Sequence, residues 1–585
     1  MGRRYLFGPV GEAYAGDNLH AARDRGDCLV FAARGRPDVL VREGDAWDDV
    51  VARLPHGWRP DFVVLFLAYT SIPSCIWDAP VPKIGLAADW NVLWHRYRYA
   101  VPRCDLVVTD APGARTLRRA GASHIVQGNL FGCARAFLDG GEDEAGGRDI
   151  DVLYVGSLHP AHKRDRLPWL GRVVRALGDD WNVVVRNELD RTEYLRLLRR
   201  ARIVFNRSVR GECNLRTFEA TAAGALLFQE ADNEEVPRYL RHGRECVAYT
   251  ETTIEPLLRR YLADEPERAR VAATARARVE SYGFECLWEN VLVTVDGRWA
   301  EIERRSARSH TTGGRDGLRH RFWEAFTAST GPDRCCAADT ALIGELETAL
   351  GGRPDAELHT MLGLADARRA QRLAQFDDEC VAQVASHFRR AVELAPQRAM
   401  LRLNLAEALW RLGRRAEAAE HCEAGLAAVD DAAAFGEDDL DLGHFPPAFD
   451  TFRVEWERAG WSAGEREAKL RLVRWRLHSV LAAVTDDLAH YRAALRLRDD
   501  LWVSQAAIGR ALVRACEPAE GARYLRRAAD LNPFDESVLP DLLDALRLAG
   551  DVGQERAAAE ELRLLRRAAP ATSCRQIGHS QEVVA

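Results

Sequence analysis

This sequence of 585 residues is short of lysine, of paired cysteine motifs and of long apolar runs. Only three of its 81 basic residues are lysines, at Lys83, Lys163 and Lys469. We attribute this skew to genome composition, and it indicates no particular function. The 13 cysteines are scattered and never form a Cys-x-x-Cys metal spacing, which is typical of a protein from a reducing compartment.

The longest apolar run near the start, "FVVLFLAY", is much shorter than the stretch of about 20 residues that spans a bilayer. The opening "MGRR" is not followed by a signal-type apolar segment. We therefore predict a cytoplasmic protein with no membrane span. The formal net charge of -7 gives no electrostatic reason to expect a nucleic-acid partner.

The length predicts several domains, and the first 300 residues alternate between strand-like and helix-like patterns. This alternation is typical of parallel sheets covered on both faces. The glycine-rich stretch "DGGEDEAGGRD" interrupts it at 139–149. We predict two Rossmann-like lobes, at 1–140 and 149–300, facing each other across a ligand-binding cleft.

Beyond a predicted linker at 301–335, the chain is predicted to be all-helical over 336–572, with a tail at 573–585. The segments "SHFRRAVELAPQ" and "RYLRRAADLNPF" share one residue order, and their prolines Pro396 and Pro533 lie 137 residues apart. That distance is close to four units of roughly 34 residues, so the region resembles a tetratricopeptide-repeat array. Segment 430–452 breaks the pattern and is predicted to be an insertion or a degenerate repeat. Such α-solenoids present a groove for peptides or proteins, or else only stabilise or oligomerise the rest of the chain.

The stretch "GECNLRTFEATAAGALLF" places an acidic residue, Glu219, inside an apolar helical pattern. If the helix begins near Leu215, its N-terminus favours a diphosphate. Glu219 then lies one turn inside, where a carboxylate could accept hydrogen bonds from both hydroxyls of a ribose. Gly224 is predicted to end the helix in the left-handed conformation.

These strings carry a family resemblance. "NLRTFEATAAGALLF", "EEVPRYLRHGRECVAY" and "DVLYVGSLHPAHKRDRL" resemble the nucleotide-sugar-binding half of GT-B glycosyltransferases, most closely the branch related to spore maturation protein CgeB. The matching positions are Asn214, Arg216, Phe218, Glu219, Ala222, Gly224, Gly243, Glu245 and Tyr249.

The resemblance implies a nucleotide-diphosphate sugar as donor, bound mainly by the second lobe. It implies donor contacts from the loop containing Gly156 and Ser157, and from Lys163 or Arg164 after it, with Arg216 as a further group facing the diphosphate. No Asp-x-Asp motif stands at a strand end, so we predict no essential metal and no cofactor. The family's first glutamate would fall at Gly211, with Glu212 next to it, so retention or inversion at the sugar stays open.

The first lobe offers weaker candidates. Gly8 and Gly11, in "GPVGEAYAG", could form a glycine turn that lets a ligand approach the backbone. Asp89 follows a strand-like run and is a candidate base for the acceptor hydroxyl, while His95 could line the sugar site. The alternative is a capped helix with an aromatic packing face.

Three functions compete. The leading hypothesis is a glycosyltransferase whose helical repeats recruit a protein or glycan acceptor. A repeat scaffold with a degenerate transferase region is the second, and a sugar-nucleotide epimerase is the third.

Overall fold

The structure is a computed structural model. It describes residues 2–130, 132–138, 147–187, 189–209, 211–307, 314–328, 336–352, 354–429, 443–446 and 450–569. The predicted tail at 573–585 lies outside these ranges, as do residues 139–146 of the glycine-rich stretch.

Strands rich in Val, Leu, Ile and Phe form a parallel first sheet in the order β3-β2-β1-β4-β5-β6-β7 over the described residues. Its strands are β1 (Tyr5–Gly8), β2 (Cys28–Ala32), β3 (Val39–Leu40), β4 (Phe62–Phe66), β5 (Lys83–Leu86), β6 (Leu106–Thr109) and β7 (Ile125–Gln127). β1 lies between β2 and β4, with Tyr5 opposite both Cys28 and Phe62. Because β1 and β6 are buried at every residue, both of their faces are covered.

Helices connect these strands. They are α1 (Glu12–Asn18), α2 (His20–Asp24), α3 (Trp47–Ala52), α4 (Ser74–Trp77), α5 (Trp94–Ala100), α6 (Ala111–Arg119) and α7 (Arg135–Leu138). The Asp110 side chain caps α6 by accepting the Gly113 N–H at 2.7 Å.

The second sheet has the order β12-β11-β10-β8-β9, and β8, β10, β11 and β12 pair in parallel. Its strands are β8 (Ile150–Val155), β9 (Val183–Arg186), β10 (Ala201–Phe205), β11 (Leu226–Glu230) and β12 (Val247–Tyr249). The helices that follow β8 along the chain are α8 (Pro160–Lys163), α9 (Leu167–Leu177), α10 (Arg191–Arg200), α11 (Leu215–Ala222), α12 (Ile254–Ala263), α13 (Glu265–Val279), α14 (Phe284–Gly297) and α15 (Trp299–Ser306). The prediction of two Rossmann-like sheets is confirmed.

Through aromatic residues, one later helix packs on the first sheet and another packs on α5. The indole N–H of Trp288 in α14 donates to the Tyr5 hydroxyl at 2.9 Å. Within the predicted linker, α16 (Arg315–Thr327) packs on α5, where Trp323 stacks on His95 with ring centroids 4.5 Å apart. The string "RFWEAF" supplies the apolar face for this packing, so part of the segment at 301–335 belongs to a core.

The rest of the described chain is helical, as predicted. Its helices are α17 (Cys336–Gly352), α18 (Ala356–Arg372), α19 (Asp378–Leu394), α20 (Ala399–Arg411), α21 (Arg415–Val429), α22 (Thr451–Ala459), α23 (Glu465–Thr485), α24 (Leu488–Leu497), α25 (Trp502–Arg514), α26 (Pro518–Leu531), α27 (Val538–Ala549) and α28 (Val552–Ala568). Neighbouring helices pack on each other, and at Gly509 a Cβ would lie 2.7 Å from Leu525 Cγ. The tetratricopeptide assignment stays a prediction, and most of segment 430–452 lies outside the described residues.

The chain divides into two compact units. Unit 1 comprises Met1–Leu153 and Arg191–Leu342, and unit 2 comprises Tyr154–Asp190 and Ile343–Ala585. The predicted domain limits differ from this division and stay predictions. In the described ranges, no helix is long and apolar enough to cross a membrane.

Candidate functional site

Helix α11 in unit 1 carries the central acid of the predicted site. It begins at Leu215, after Asn214 in extended conformation (φ -115°, ψ 164°), and Gly224 follows it with φ 76°. The predicted helix start and left-handed glycine are thus confirmed. Because Gly224 has a positive φ, a residue with a Cβ would be strained there.

Glu219 lies on the buried face of α11 and is only 8% exposed. The Tyr194 hydroxyl of α10 donates to Glu219 Oε2 at 2.8 Å. Burial raises the pKa of Glu219, although that hydrogen bond and the charges of Arg216 and Arg191 act in the opposite direction. Keeping Glu219 ionised at this buried position therefore costs electrostatic free energy, which the charges of Arg216 and Arg191 partly offset.

Asn206, directly after β10, organises the start of α11. Its Oδ1 accepts from Arg216 Nη1 at 2.7 Å, and its Nδ2 donates to Asn214 Oδ1 at 3.1 Å and to Gln229 Oε1 at 2.7 Å. The Tyr249 hydroxyl donates to the Asn206 carbonyl at 2.7 Å. Asn214 and Arg216 are thus brought together with Asn206, which the sequence analysis missed. The sequence feature that could have identified Asn206 is its position as a polar residue immediately after the strand "RIVF".

Glu212 occupies the position next to the missing family glutamate. Its Oε2 accepts from Asn91 Nδ2 at 3.0 Å, and its Oε1 accepts from the Val209 N–H at 3.3 Å. Asn91 Nδ2 also donates to the Val209 carbonyl at 2.7 Å. Glu212 therefore fixes the loop before α11 against the segment that follows β5.

Two further buried acids, Asp110 and Glu235, meet at the N-terminus of α6. Glu235 Oε2 accepts from the Ala111 N–H at 3.1 Å, and its Oε1 accepts from the Tyr239 hydroxyl at 2.8 Å. Burial, with the nearby charges of Glu235 and Glu212, raises the pKa of Asp110 to about 7. The sequence analysis missed this pair, which only the fold brings together.

Asp89 and His95 have different surroundings. Asp89 is half-buried and adopts a left-handed conformation (φ 48°, ψ 34°) three residues after β5 ends. A non-glycine residue with positive φ is uncommon and is found at functional sites more often than elsewhere. His95 is fully buried under Trp323, which matches the aromatic packing face kept as the alternative.

Gly8 and Gly11 stand at the exit of β1. At Gly8 a Cβ would lie 2.2 Å from the Phe31 carbonyl oxygen, so the close approach of β1 and β2 requires glycine there. Gly11 precedes α1 and has nothing within 4 Å of a Cβ placed on it. The packing of β1 against β2 thus explains the glycine at position 8, whereas a Cβ at position 11 would meet no neighbouring atom.

The predicted donor loop after β8 belongs to unit 2. Gly156 has φ 150° and donates its N–H to the Arg186 carbonyl at 3.0 Å. The Ser157 hydroxyl accepts the His159 N–H at 3.2 Å. Lys163 ends α8, and its side chain lies outside the described residues.

Arg164, the other basic candidate of this loop, is engaged by the helical region. Its guanidinium pairs with Glu455 at 2.9 Å and with Asp500 at 2.9 Å, both within unit 2. Arg498 binds the same two carboxylates. Arg164 therefore has a structural role in addition to any role at a ligand.

The second sheet matches a known family. A family model described as "Glycosyl transferase-like" matches residues 150–285, which include β8 to β12 and Glu219. The chain therefore contains a glycosyltransferase-like domain. No match to a curated protein was found.

Solved structures are also similar to this chain. TarM of S. aureus, in a complex with UDP, is 11% identical over 40% of this chain and 54% of its own, with a TM-score of 0.30. HepE of Anabaena, in a complex with UDP-glucose, is 14% identical over 52% of this chain and 99% of its own, with a TM-score of 0.34. Sucrose-phosphate synthase of Thermosynechococcus elongatus is 13% identical over 52% of this chain and 100% of its own, with a TM-score of 0.33. The match thus spans about half of TarM.

Proposed function

We propose that this chain is a GT-B glycosyltransferase of the CgeB-like type, which moves a sugar from a nucleotide-diphosphate sugar to an acceptor. The observation that carries the proposal is the buried Glu219 carboxylate on α11, inside the glycosyltransferase-like match. A carboxylate kept buried against its solvation preference is suited to accept hydrogen bonds from neutral hydroxyls. In this proposal Glu219 binds the ribose hydroxyls.

The remaining residues have roles around the donor. Arg216, near the N-terminus of α11, offsets diphosphate charge as the leaving group departs, with no essential metal or cofactor. Gly156 and Ser157 contribute the donor loop, together with Lys163 or Arg164. The helical repeats recruit a protein or glycan acceptor.

The transfer step itself is a substitution at the anomeric carbon. An acceptor hydroxyl forms a bond to that carbon, the bond to the diphosphate oxygen breaks, and the diphosphate leaves with the electron pair. The hydroxyl proton passes to a base, for which Asp89 at the carboxyl end of β5 is the candidate.

Calorimetry of the full chain with UDP and with GDP tests the donor site. We expect one of them to bind, and Glu219→Gln to weaken that binding at least about tenfold, because hydrogen bonds to a charged acceptor are the stronger ones. Glu251→Gln, at an exposed turn, is the matched control and should leave binding unchanged.

Three outcomes bear on the proposal. If the parent chain binds no nucleoside diphosphate, the transferase proposal is wrong and the repeat scaffold is favoured. If Glu219→Gln binds as the parent does, the ribose role is wrong. If hydrolysis of a nucleotide-sugar panel stops after EDTA treatment, the prediction of no essential metal is wrong.

A further inference from the structure

The order of the first sheet creates a ligand-binding position distinct from α11. The chain runs from β1 to β2 and β3 on one side, and then returns to β4 on the other side of β1. In open parallel sheets, ligands bind outside the carboxyl ends of the strands at such a switch point. Here that point lies between the ends of β1 and β4.

A cavity of about 560 Å³ lies at this position, within unit 1. Small-molecule sites have volumes of about 300 to 1,000 Å³, so the cavity has the right size for one. It is lined by the exits of both strands, with Val10 and Gly11 after β1 and Ser71 after β4. Tyr69, also in the lining, has a positive φ of 53°, a conformation that non-glycine residues rarely adopt outside constrained sites.

The walls and the rim of this cavity differ in chemistry. Apolar groups of Val10, Ala33, Pro73 and Ala338 form much of the wall. Arg34 and Arg42 lie at the cavity and are exposed, and Glu43 is the acid beside them. Two guanidinium groups against one carboxylate leave a net positive charge next to an apolar interior.

We propose that this cavity binds a small amphipathic anion, with an apolar body against the wall and a phosphate or carboxylate at Arg34 and Arg42. Guanidinium groups bind such anions through charge-assisted hydrogen bonds. The identification of this ligand as the acceptor substrate rests on the proposed transferase function. The binding of an amphipathic anion in the cavity does not depend on that function.

Calorimetry with n-hexyl phosphate on the full chain tests the binding, with n-hexylamine and n-hexanol as probes of the opposite and of no charge. We expect n-hexyl phosphate to bind tightest, and the double variant Arg34→Gln/Arg42→Gln to bind it at least about tenfold more weakly. Arg36→Gln is the matched control, because Arg36 is exposed on the same loop and does not line the cavity. Ala33→Trp, which fills the cavity, should abolish binding while thermal unfolding shows that the variant is folded.

The proposal is wrong if n-hexyl phosphate does not bind, or if its affinity is the same in the double and the filled variants. It is also wrong if n-hexylamine binds as tightly. Co-sedimentation with phosphatidylcholine vesicles containing phosphatidic acid, lost in the double variant, would identify a membrane lipid as the source of the anion. Binding of n-hexyl phosphate without any nucleotide binding would support this site and contradict the proposed function.

Discussion

Buried carboxylates in the two units are held in two different ways. Those around α11 in unit 1 accept hydrogen bonds from neutral groups, as Glu219 does from Tyr194 and Glu212 from Asn91. Several of those in the helical part of unit 2 pair with arginines, as Glu407 does with Arg476.

The pKa values follow this difference. Burial raises the pKa of Asp110 to about 7 and also raises that of Glu219. Burial acts the same way on Glu407, but the charges of Arg476 and His444 outweigh it and lower its pKa to about 2. Glu407 is therefore satisfied as a structural group, while Asp110 and Glu219 retain a preference for added positive charge, protons or hydroxyl donors.

Breaking the arginine pairing in unit 2 should have the largest effect. Arg476 donates to both oxygens of Glu407 at 2.6 and 2.9 Å. Arg476→Gln leaves a buried charge short of its partner, so we expect the free energy of unfolding to fall by about 3 to 5 kcal/mol. Because the folded pKa of Glu407 is depressed, the stability it supplies is present above its ordinary value of 4.5 and is lost as pH falls toward 2.

Urea unfolding measures this effect, with Arg390→Gln as the control. Arg390 pairs with Glu393, and both side chains are about half exposed, so its loss should cost at most about 0.5 kcal/mol. Equal losses in the two variants would contradict the structural role of the buried pair.

The acid Asp110 should show the opposite pH dependence. Its folded pKa of about 7 lies above the ordinary 3.8, so the stability it supplies is complete below about pH 4 and is lost as pH rises toward 7. Asp110→Asn keeps an oxygen that can cap α6 and cannot ionise. Relative to the parent, we expect the variant to gain roughly 4 kcal/mol between pH 4 and pH 8, since one pKa unit corresponds to about 1.4 kcal/mol.

Unfolding at a series of pH values checks this prediction. Asp232→Asn, at a side chain that is 78% exposed, should show no such trend. A difference between Asp110→Asn and the parent that does not change with pH would mean that Asp110 is ionised in the folded chain.

Removing a neutral donor near α11 should have an intermediate effect. Asn91→Ala takes a hydrogen-bond donor from the buried Glu212 carboxylate and from the Val209 carbonyl, which we expect to cost about 1 to 3 kcal/mol. Thermal unfolding measures it, and Asn290→Ala on the exposed side of α14 is the control. If both variants unfold at the parent temperature, the contact contributes no stability.

The smallest effect is expected at Glu219 and has the opposite sign. Because burial raises its pKa, Glu219→Gln removes a charge that the fold disfavours at pH 7, while a side-chain oxygen remains to accept from Tyr194. We expect a gain of about 1 kcal/mol in unfolding free energy together with weaker nucleotide binding. A loss of stability would instead mean that the ionised Glu219 side chain stabilises the fold.

Much of the fold was predictable from local pattern. The apolar strand runs, the start of α11 at Leu215 and the turn at Gly224 all follow from neighbouring residues. β3, with two residues, was too short to give a periodic signal.

The contacts that define the site were not predictable in the same way. Asn91 and Glu212 are 121 residues apart, and Arg164 and Glu455 are 291 apart. No local spacing encodes such pairs, since they depend on how the strands and helices assemble. His95 shows the same limit, because the ring that covers it, Trp323, comes from a segment predicted to be a linker.

The path of the chain, which enters unit 2 and then returns to unit 1, affects any attempt to shorten this protein. Residues Tyr154–Asp190 leave the first unit and pack with the helical region, where a Cβ at Gly171 would lie 2.5 Å from Pro533 Cγ and Arg175 pairs with Glu561 at 2.7 Å. A chain that stops after α16 would therefore expose the tightly packed face of α9. It would also remove Glu455 and Asp500, which pair with Arg164, and Glu561, which pairs with Arg175. We therefore expect the truncated chain to be insoluble or rapidly degraded by proteases.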